Sequence, residues 1–354
     1  MYDTITYEKR IGKHMKAAVW QGKNKIEIQE RNQPRPKSGE VLLRITAAGI
    51  CGTDLTIYQG KFDPKRSVPP LVPGHEMCGV VEQLGDGVVG WSAGERVTVD
   101  PLIPCGTCFA CVNGFPHVCT SLKLLGIDQD GGFAEYAVAC ANRLYRLPDA
   151  LTNVEGALVE PVAVAVHDVR LAELSVGDTA LVVGAGPIGL LIAMVAASAG
   201  SRRVAVSEIN ERRLEIARSL GFPVYSPAEK DFRERVREDF DGRGPDIVFE
   251  ATGSASGYQS AIDCVRVRGR IVQVGIPKGP TEVDLRRLNF AEISIVGTRV
   301  YAPADIVTAI ALLGNSRIAA NSLVSTHGLA ECASLMAELS GGASEKMKPV
   351  LLMD

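Results

Sequence analysis

Four cysteines crowd into one short stretch, PCGTCFACVNGFPHVC, as Cys105, Cys108, Cys111 and Cys119. The spacing C-x2-C-x2-C-x7-C suits four thiolates around one tetrahedral zinc, a closed set with no open coordination position. The loop has few apolar anchors, so a metal must supply its order. The C-x2-C-x2-C part also occurs in iron–sulfur proteins, which leaves a cluster as the second choice. A nucleic-acid zinc module would need a basic surround, and only His117 lies inside the loop. Cys78, Cys140, Cys264 and Cys332 read as small buried hydrophobes rather than ligands.

A second constellation is scattered. Cys51 sits in AAGICGTD, a turn after a strand; His75 and Glu76 sit in VPGHE; Glu160 sits in the apolar run GALVEPVA. One thiolate, one imidazole and one carboxylate make an open zinc site whose fourth position is left for substrate. A carboxylate such as Glu160 is costly to bury unless paired or metal-bound. Spacing alone does not bring these residues together. A structural turn for Cys51 and a capped core position for Glu160 stay open.

The third signal is TALVVGAGPIGL, with Gly184, Gly186 and Gly189 in G-x-G-x-x-G spacing around Pro187 and Ile188. It follows an apolar strand and opens a helix. The first glycine permits the tight turn, the second lets the backbone approach a pyrophosphate, and the third allows close helix–strand packing. RVAVSE ends in Glu208, nineteen positions after Gly189, where a carboxylate can accept both ribose hydroxyls. The same carboxylate would repel a 2′-phosphate, so NAD is favoured over NADP. Arg213 either stacks on adenine, helps a phosphate, or lies on a solvated helix face. Val274, Ile276 and Thr298 complete the candidate cofactor contacts.

These motifs need two kinds of scaffold. The chain has 354 residues, 46% hydrophobic and 22% charged, natural for two soluble globular domains. A formal net charge of −3 offers no basic excess for nucleic acid or an anionic membrane. The N-terminus lacks an apolar signal core, and LLIAMVAASAG is too short to span a bilayer. Clustered cysteines without a secretion signal fit a cytoplasmic protein. Residues 1–14 read as a polar extension whose removal costs little. From Lys16 to Val138, short runs such as KAAVW, VLLRITAAG and RVTVD alternate with Gly and Pro punctuation, which predicts an antiparallel β-rich domain. After Gly156 strands alternate with helices: Thr179–Val183, Pro187–Ala199, Arg203–Ser207, Glu211–Leu220, then buried strands at Asp246–Glu250, Arg270–Val274 and Ile293–Val296. That is the pattern of a doubly wound parallel sheet, an α/β fold. A last strand, PVLLM, returns to the first domain. The boundaries predicted are 15–170 with 304–354 for the β-rich domain and 171–303 for the cofactor domain.

Taken in order, GICGTD, PGHE, the four-cysteine loop, DGGFAEYAV, LVEPVAVAVH and VVGAGPIG make the sequence resemble the zinc-dependent medium-chain alcohol dehydrogenases from Met15 to Asp354. With Glu76 after His75 and Glu160 in place of a cysteine, it is most similar to the sorbitol, threonine and butanediol dehydrogenases. The resemblance implies a GroES-like catalytic domain and a Rossmann domain with the active site in the cleft between them. It implies catalytic zinc at Cys51, His75 and a carboxylate: either Glu76 binds directly with Glu160 held through water, or the two exchange. Thr53 matches the hydroxyl that takes the alcohol proton. Many relatives carry His three positions later, where this chain has Thr56, so water or a ribose hydroxyl must carry the proton away.

The expected activity is hydride transfer between NAD and a small polar secondary alcohol (a polyol, sugar alcohol or cyclitol), with two zinc ions per chain. Threonine and 2,3-butanediol are the alternative substrates. A zinc-free enone or quinone reductase and a non-catalytic NAD sensor are the readings from other classes; Cys51, His75, Glu160 and Thr53 argue against them. Tyr58, Arg299 and Tyr301 are candidate substrate contacts, against ordinary packing for Tyr58 and a surface or cofactor contact for Arg299. The relatives imply a dimer or tetramer, with the edge strand at Ile293–Val296 able to pair across an interface.

Overall fold

In VLLRITAAG nearly every side chain is apolar or small, which suits a strand covered on both faces. The computed structural model, which describes residues 14–342, 344 and 346–353, places this run at the centre of a sheet. Nine strands come first: β1 (His14–Gly22), β2 (Lys25–Asn32), β3 (Glu40–Gly49), β4 (Glu76–Leu84), β5 (Arg96–Val99), β6 (Leu102–Ile103), β7 (Lys123–Leu124), β8 (Tyr136–Cys140) and β9 (Leu144–Arg146). The helices α1 (Gly52–Tyr58) and α2 (Phe109–Val112) lie among them, and α3 (Asn153–Leu171) follows. A parallel series comes next: β10 (Thr179–Val183), α4 (Pro187–Ser198), β11 (Arg203–Ser207), α5 (Glu211–Ser219), β12 (Val224–Tyr225), α6 (Phe232–Asp239), β13 (Ile247–Glu250), α7 (Ala255–Cys264), β14 (Arg270–Gln273), α8 (Leu285–Phe290) and β15 (Ser294–Gly297). The chain ends with α9 (Pro303–Gly314), β16 (Val324–Gly328), α10 (Cys332–Ser340) and β17 (Lys348–Leu352).

The first compact unit holds the described residues up to Glu160 and those from Asn321 onward. Its seven-stranded sheet runs β16-β17-β3-β4-β5-β9, with β8 also paired to β3. On β3, β4 takes one edge, while β8 and β17 share the other. Gly49 is therefore opposite Glu76 on one side and Val350 on the other. That register brings three chemically loaded chain segments to one end of the sheet. Gly49 itself is required there, because a Cβ would stand 2.2 Å from the Glu76 carboxylate.

The second unit, 161–320, holds a six-stranded parallel sheet in the order β12-β11-β10-β13-β14-β15. Strand order reverses between β10 and β13, the switch point outside which such sheets bind ligands. Leu181, Val183, Phe232, Phe240, Val248 and Ile271 form part of its buried core. Together these units are the GroES-like and Rossmann-type folds expected.

Some expectations are corrected. The units divide at 160/161 and 320/321, not at 170/171 and 303/304. α3 beyond Pro161 and the start of α9 are joined within the second unit by the buried His167–Asp305 contact and by the half-exposed Arg170, which also pairs with Asp305. The final sheet strand is not buried, since Ile295 on β15 is 40% exposed at the open edge. Cys140 is exposed rather than buried. β16, short and polar, carries no clear strand signal in sequence. The N-terminal extension at 1–13 lies outside the described residues; His14 already belongs to β1.

Gly189 and Gly186 separate folding from binding. A Cβ on Gly189 would stand 1.9 Å from the Gly184 carbonyl oxygen, whereas one on Gly186 would meet nothing within 4 Å. Gly189→Ala is expected to lose about 1–3 kcal/mol of stability in urea titrations. Gly186→Ala should keep its urea midpoint and lose NADH affinity instead, a difference that fluorescence titration of both variants checks.

Candidate metal and cofactor sites

Cys51 is the N-cap of α1 and follows β3 by two residues; His75 and Glu76 enter β4. The register of those strands brings one ligand atom from each of the three within 4.8 Å of the others. Cys51 is half-buried, and His75 and Glu76 are 5% and 1% exposed. Asp54, which sequence reading passed over, ties the two ligand-bearing loops together. Its Oδ2 accepts from the Cys51 amide at 2.8 Å, and its Oδ1 from the Gly74 amide at 3.2 Å. The same Oδ1 stands 3.5 Å from His75 Nδ1. That leaves the other ring nitrogen for a metal.

Lys348, also missed, enters from β17 and is 3% exposed. Its ammonium donates to Glu76 Oε1 at 2.5 Å and to the Ile50 carbonyl at 3.2 Å. Glu76 Oε2 lies close to the same ammonium yet makes no well-directed hydrogen bond. Burial opposes the charge on Lys348, but Glu76, Cys51 and Glu160 together raise its pKa above the usual lysine value. Burial likewise opposes a proton on His75, and Asp54 and Cys51 overcome it and hold the imidazole well above its ordinary value. The pocket therefore favours a cation, and zinc can take the place of that proton. A thiolate, an imidazole and an unsatisfied buried carboxylate oxygen fit zinc in kind. Glu160, 6% exposed on α3, does not join the set within 4.8 Å; its charge acts on Lys348.

Thr53 lies in the first turn of α1, half-buried, and its hydroxyl has no hydrogen-bond partner among the described residues. Thr56 is committed, donating to the Gly52 carbonyl at 3.0 Å. Tyr58 ends the same helix and is buried.

Cys105, Cys108, Cys111 and Cys119 converge within 4.8 Å in a loop whose backbone points N–H groups at sulfur. The Cys105 amide donates to Cys119 Sγ at 3.3 Å and the Cys108 amide to Cys105 Sγ at 3.4 Å. Backbone amides at Cys111 and Thr120 pull the Cys108 thiol down to about 5, while burial pushes Cys111 up to about 12. Two sulfurs 3.5 Å apart cannot both be charged without a cation between them, which is the condition zinc meets.

In the second unit, Gly184 adopts φ +106° and its amide donates to the Ser207 carbonyl at 2.7 Å, docking the turn on β11. Pro187 occupies the first turn of α4, where its missing N–H costs nothing, with Ile188 half-buried beside it. Open space beside Gly186 and the start of α4 form a cradle suited to a pyrophosphate. Glu208 is 8% exposed; it accepts from the amides of Ala185 at 2.9 Å, Ile209 at 2.7 Å and Asn210 at 3.0 Å. The half-exposed Arg213 reaches to 3.8 Å of it. Val274 donates from its amide to the Glu250 carbonyl at 2.9 Å, and Ile276 is 89% exposed. Thr298 follows β15 directly. Arg299 is exposed, and Tyr301 is completely buried.

A family model for the alcohol dehydrogenase GroES-like domain matches residues 37–149, and one for zinc-binding dehydrogenases matches 187–315. The chain belongs to the zinc-dependent medium-chain alcohol dehydrogenases. This dehydrogenase is 40% identical over 328 residues to 2-dehydro-3-deoxy-L-galactonate 5-dehydrogenase of Pseudoalteromonas atlantica, covering 92% of this chain and 96% of that one. It is 35% identical over 319 residues to sorbitol dehydrogenase of Halalkalibacterium halodurans, covering 88% and 92%. A solved Escherichia coli CFT073 protein, described as a short chain alcohol dehydrogenase complexed with NADH, superposes with a TM-score of 0.89. Its sequence identity is 32%, with 96% of this chain and all of that chain covered. The matched family description makes this chain a zinc-binding dehydrogenase, and the solved neighbour holds NADH.

Full metal loading is expected to give two zinc ions per chain by elemental analysis. Cys51→Ser should leave one and abolish turnover with little change in melting. Cys108→Ser should disorder the loop and lower the melting temperature by roughly 5–10 °C. Identical behaviour of the two variants would contradict the separation of the sites.

Proposed function

We propose that this enzyme interconverts a small polar secondary alcohol and its ketone, with zinc at Cys51, His75 and Glu76 and with Glu160 as the second carboxylate of the site. The observation that carries the reading is the convergence of Cys51, His75 and Glu76 on one buried point. When bound, zinc supplies a Lewis acid that acidifies a hydroxyl, and NAD supplies the hydride acceptor. Asp54 orients the His75 ring and the Cys51 turn. Lys348 holds Glu76 in place, and the uncommitted Thr53 hydroxyl receives the substrate proton. Because Thr56 is bonded to its own helix, that proton leaves through water or the cofactor ribose. The Gly184–Gly189 turn holds the pyrophosphate and Glu208 the adenosine ribose.

The substrate class follows from polar groups and relatives together. Sorbitol and a deoxygalactonate derivative, named for the two relatives, are both polyhydroxylated carbon chains. Arg299, exposed and without an ion pair among the described residues, can receive a hydroxyl or a carboxylate. An apolar alcohol would leave such groups unpaired at a cost of about 1–3 kcal/mol each once desolvated. Complete burial of Tyr301 makes it a support for this segment rather than a direct contact. Nine cysteines, free among the described residues, suit a cytoplasmic setting.

The decisive measurement compares kcat/KM for hexitols, sugar acids, cyclitols, 2,3-butanediol, L-threonine and long primary alcohols. Each is run with NAD and NADP, on the wild type and Glu208→Ala. Polyols or sugar acids with NAD are expected to lead, and Glu208→Ala should narrow the NAD preference through a raised KM. A lead for long primary alcohols overturns the substrate class, a lead for threonine promotes that alternative, and an unchanged cofactor ratio removes Glu208 from the ribose.

Self-association as a dimer or tetramer belongs to the same reading. β15 is an open edge with Ile295 exposed, and the preceding α8 carries Leu285 and Phe290 at 61% and 89% exposure. An apolar strand edge pairs readily with a symmetry mate. A sedimentation mass near 37.7 kDa at working concentration would reject it.

A further inference from the structure

Two adjacent residues of α3 reach opposite ends of one segment. Asp168 Oδ1 accepts from the Thr298 hydroxyl at 2.7 Å, and His167 Nδ1 donates to Asp305 Oδ2 at 2.8 Å. Asp305 also accepts from the Ala302 amide at 2.8 Å and pairs through Oδ1 with Arg170 at 3.0 Å. Asp168 and Asp305 are fully buried, and His167 is 6% exposed. The segment 298–305 is therefore gripped at both ends. Within it Val300 adopts φ +45°, a left-handed conformation that a β-branched residue rarely takes. Such a conformation persists only where its surroundings over-determine it. Thr298 is fixed a second time, its amide donating to the Gln273 carbonyl at 3.2 Å.

The grip is a costly way to obtain stability alone. Asp168 Oδ2 is buried with no hydrogen-bond partner among the described residues. Burial pushes its pKa up to about 7 against the opposing pull of Thr298 and His167, with Asp305 adding repulsion. The location gives the reason. The Gly184 turn and Glu208 belong to the first half of the sheet, which takes the adenosine end of a dinucleotide. The ends of β14 and β15 belong to the half that takes the nicotinamide.

We propose that His167 and Asp168 are positioning residues: they hold the segment 298–305 in its strained turn so that Thr298 meets the nicotinamide half of NAD and Arg299 is turned outward for substrate. This deepens the reading above and rests on its assignment of Thr298 and Arg299.

The test uses the full-length, zinc-loaded enzyme. Asp168→Ala is expected to speed amide exchange across 298–305 and to weaken NADH binding about five-fold, the worth of one lost hydrogen bond. Asp168→Asn keeps an acceptor for Thr298 and should restore both. Thr298→Val removes the same hydrogen bond from its other end, so the Asp168→Ala/Thr298→Val double variant should lose no more affinity than either single one. If Asp168→Ala fails to fold, Thr298→Val with Asp168→Asn carries the comparison. His167→Ala should raise KM for the alcohol more than it lowers kcat. A variant set that melts earlier while exchange at 298–305 and the NADH dissociation constant stay unchanged overturns the proposal, as does full additivity in the double variant. Exchange is read without cofactor or substrate. Wild-type enzyme that binds no NADH therefore identifies the parent reading, not the grip, as wrong.

Discussion

Buried negative charge is the constraint around which the catalytic unit is arranged. Cys51, His75 and Glu76 converge on one point, and taking a charged group such as the Glu76 carboxylate out of water costs several kcal/mol unless a cation answers it. Lys348 answers one charge from inside the fold. Burial opposes a proton on His75, and Asp54 and Cys51 nevertheless hold its pKa well above the ordinary imidazole value. Much else in the unit serves this balance. Gly49 leaves room for the Glu76 carboxylate, and Asp54 closes the two loops that deliver Cys51 and His75.

The ligands arrive on strand ends rather than on free loops. β3, β4 and β17 are hydrogen-bonded neighbours, so Cys51, Glu76 and Lys348 inherit their spacing from backbone register. A register slip of one residue would turn Glu76 and Lys348 to the opposite face. The four-cysteine loop works by the opposite logic. It has little core, with Phe109, Val112 and Phe115 exposed, and depends on its own sulfur cluster for order.

The cofactor unit uses acids to organise backbone. Glu208 gathers three amides behind the glycine turn, and Glu250 accepts from Thr252 and Gly253 at the end of the neighbouring β13. In the segment after β15, Asp305 accepts from the Ala302 amide, and Asp168 holds the Thr298 hydroxyl. A carboxylate that accepts several amides fixes a loop without presenting a bulky side chain to the ligand.

Sequence alone determined whatever depends on local spacing. Four cysteines within fifteen residues, three glycines after an apolar strand, and the acid nineteen residues later state their chemistry where they stand, because each operates within one loop or one strand–turn–helix unit. Fold class was legible for the same reason, since hydrophobic periodicity is local. Asp54 was half-legible, three residues beyond Cys51 at the spacing of a helix cap. Lys348 carried no signal, because it reaches Glu76 across 272 residues through the antiparallel pairing of β17 with β3. Glu76 is next to His75 in sequence, but its approach to Cys51 depends on the pairing of β3 with β4, which no local spacing announces. The apolar run at Ile293–Val296 read as buried, yet position at the end of the strand order leaves β15 exposed, and no residue within the strand encodes that position. Local spacing sets which ligands and turns are available; long-range pairing decides which of them meet, because a strand's neighbours are chosen by the whole sheet and not by the strand.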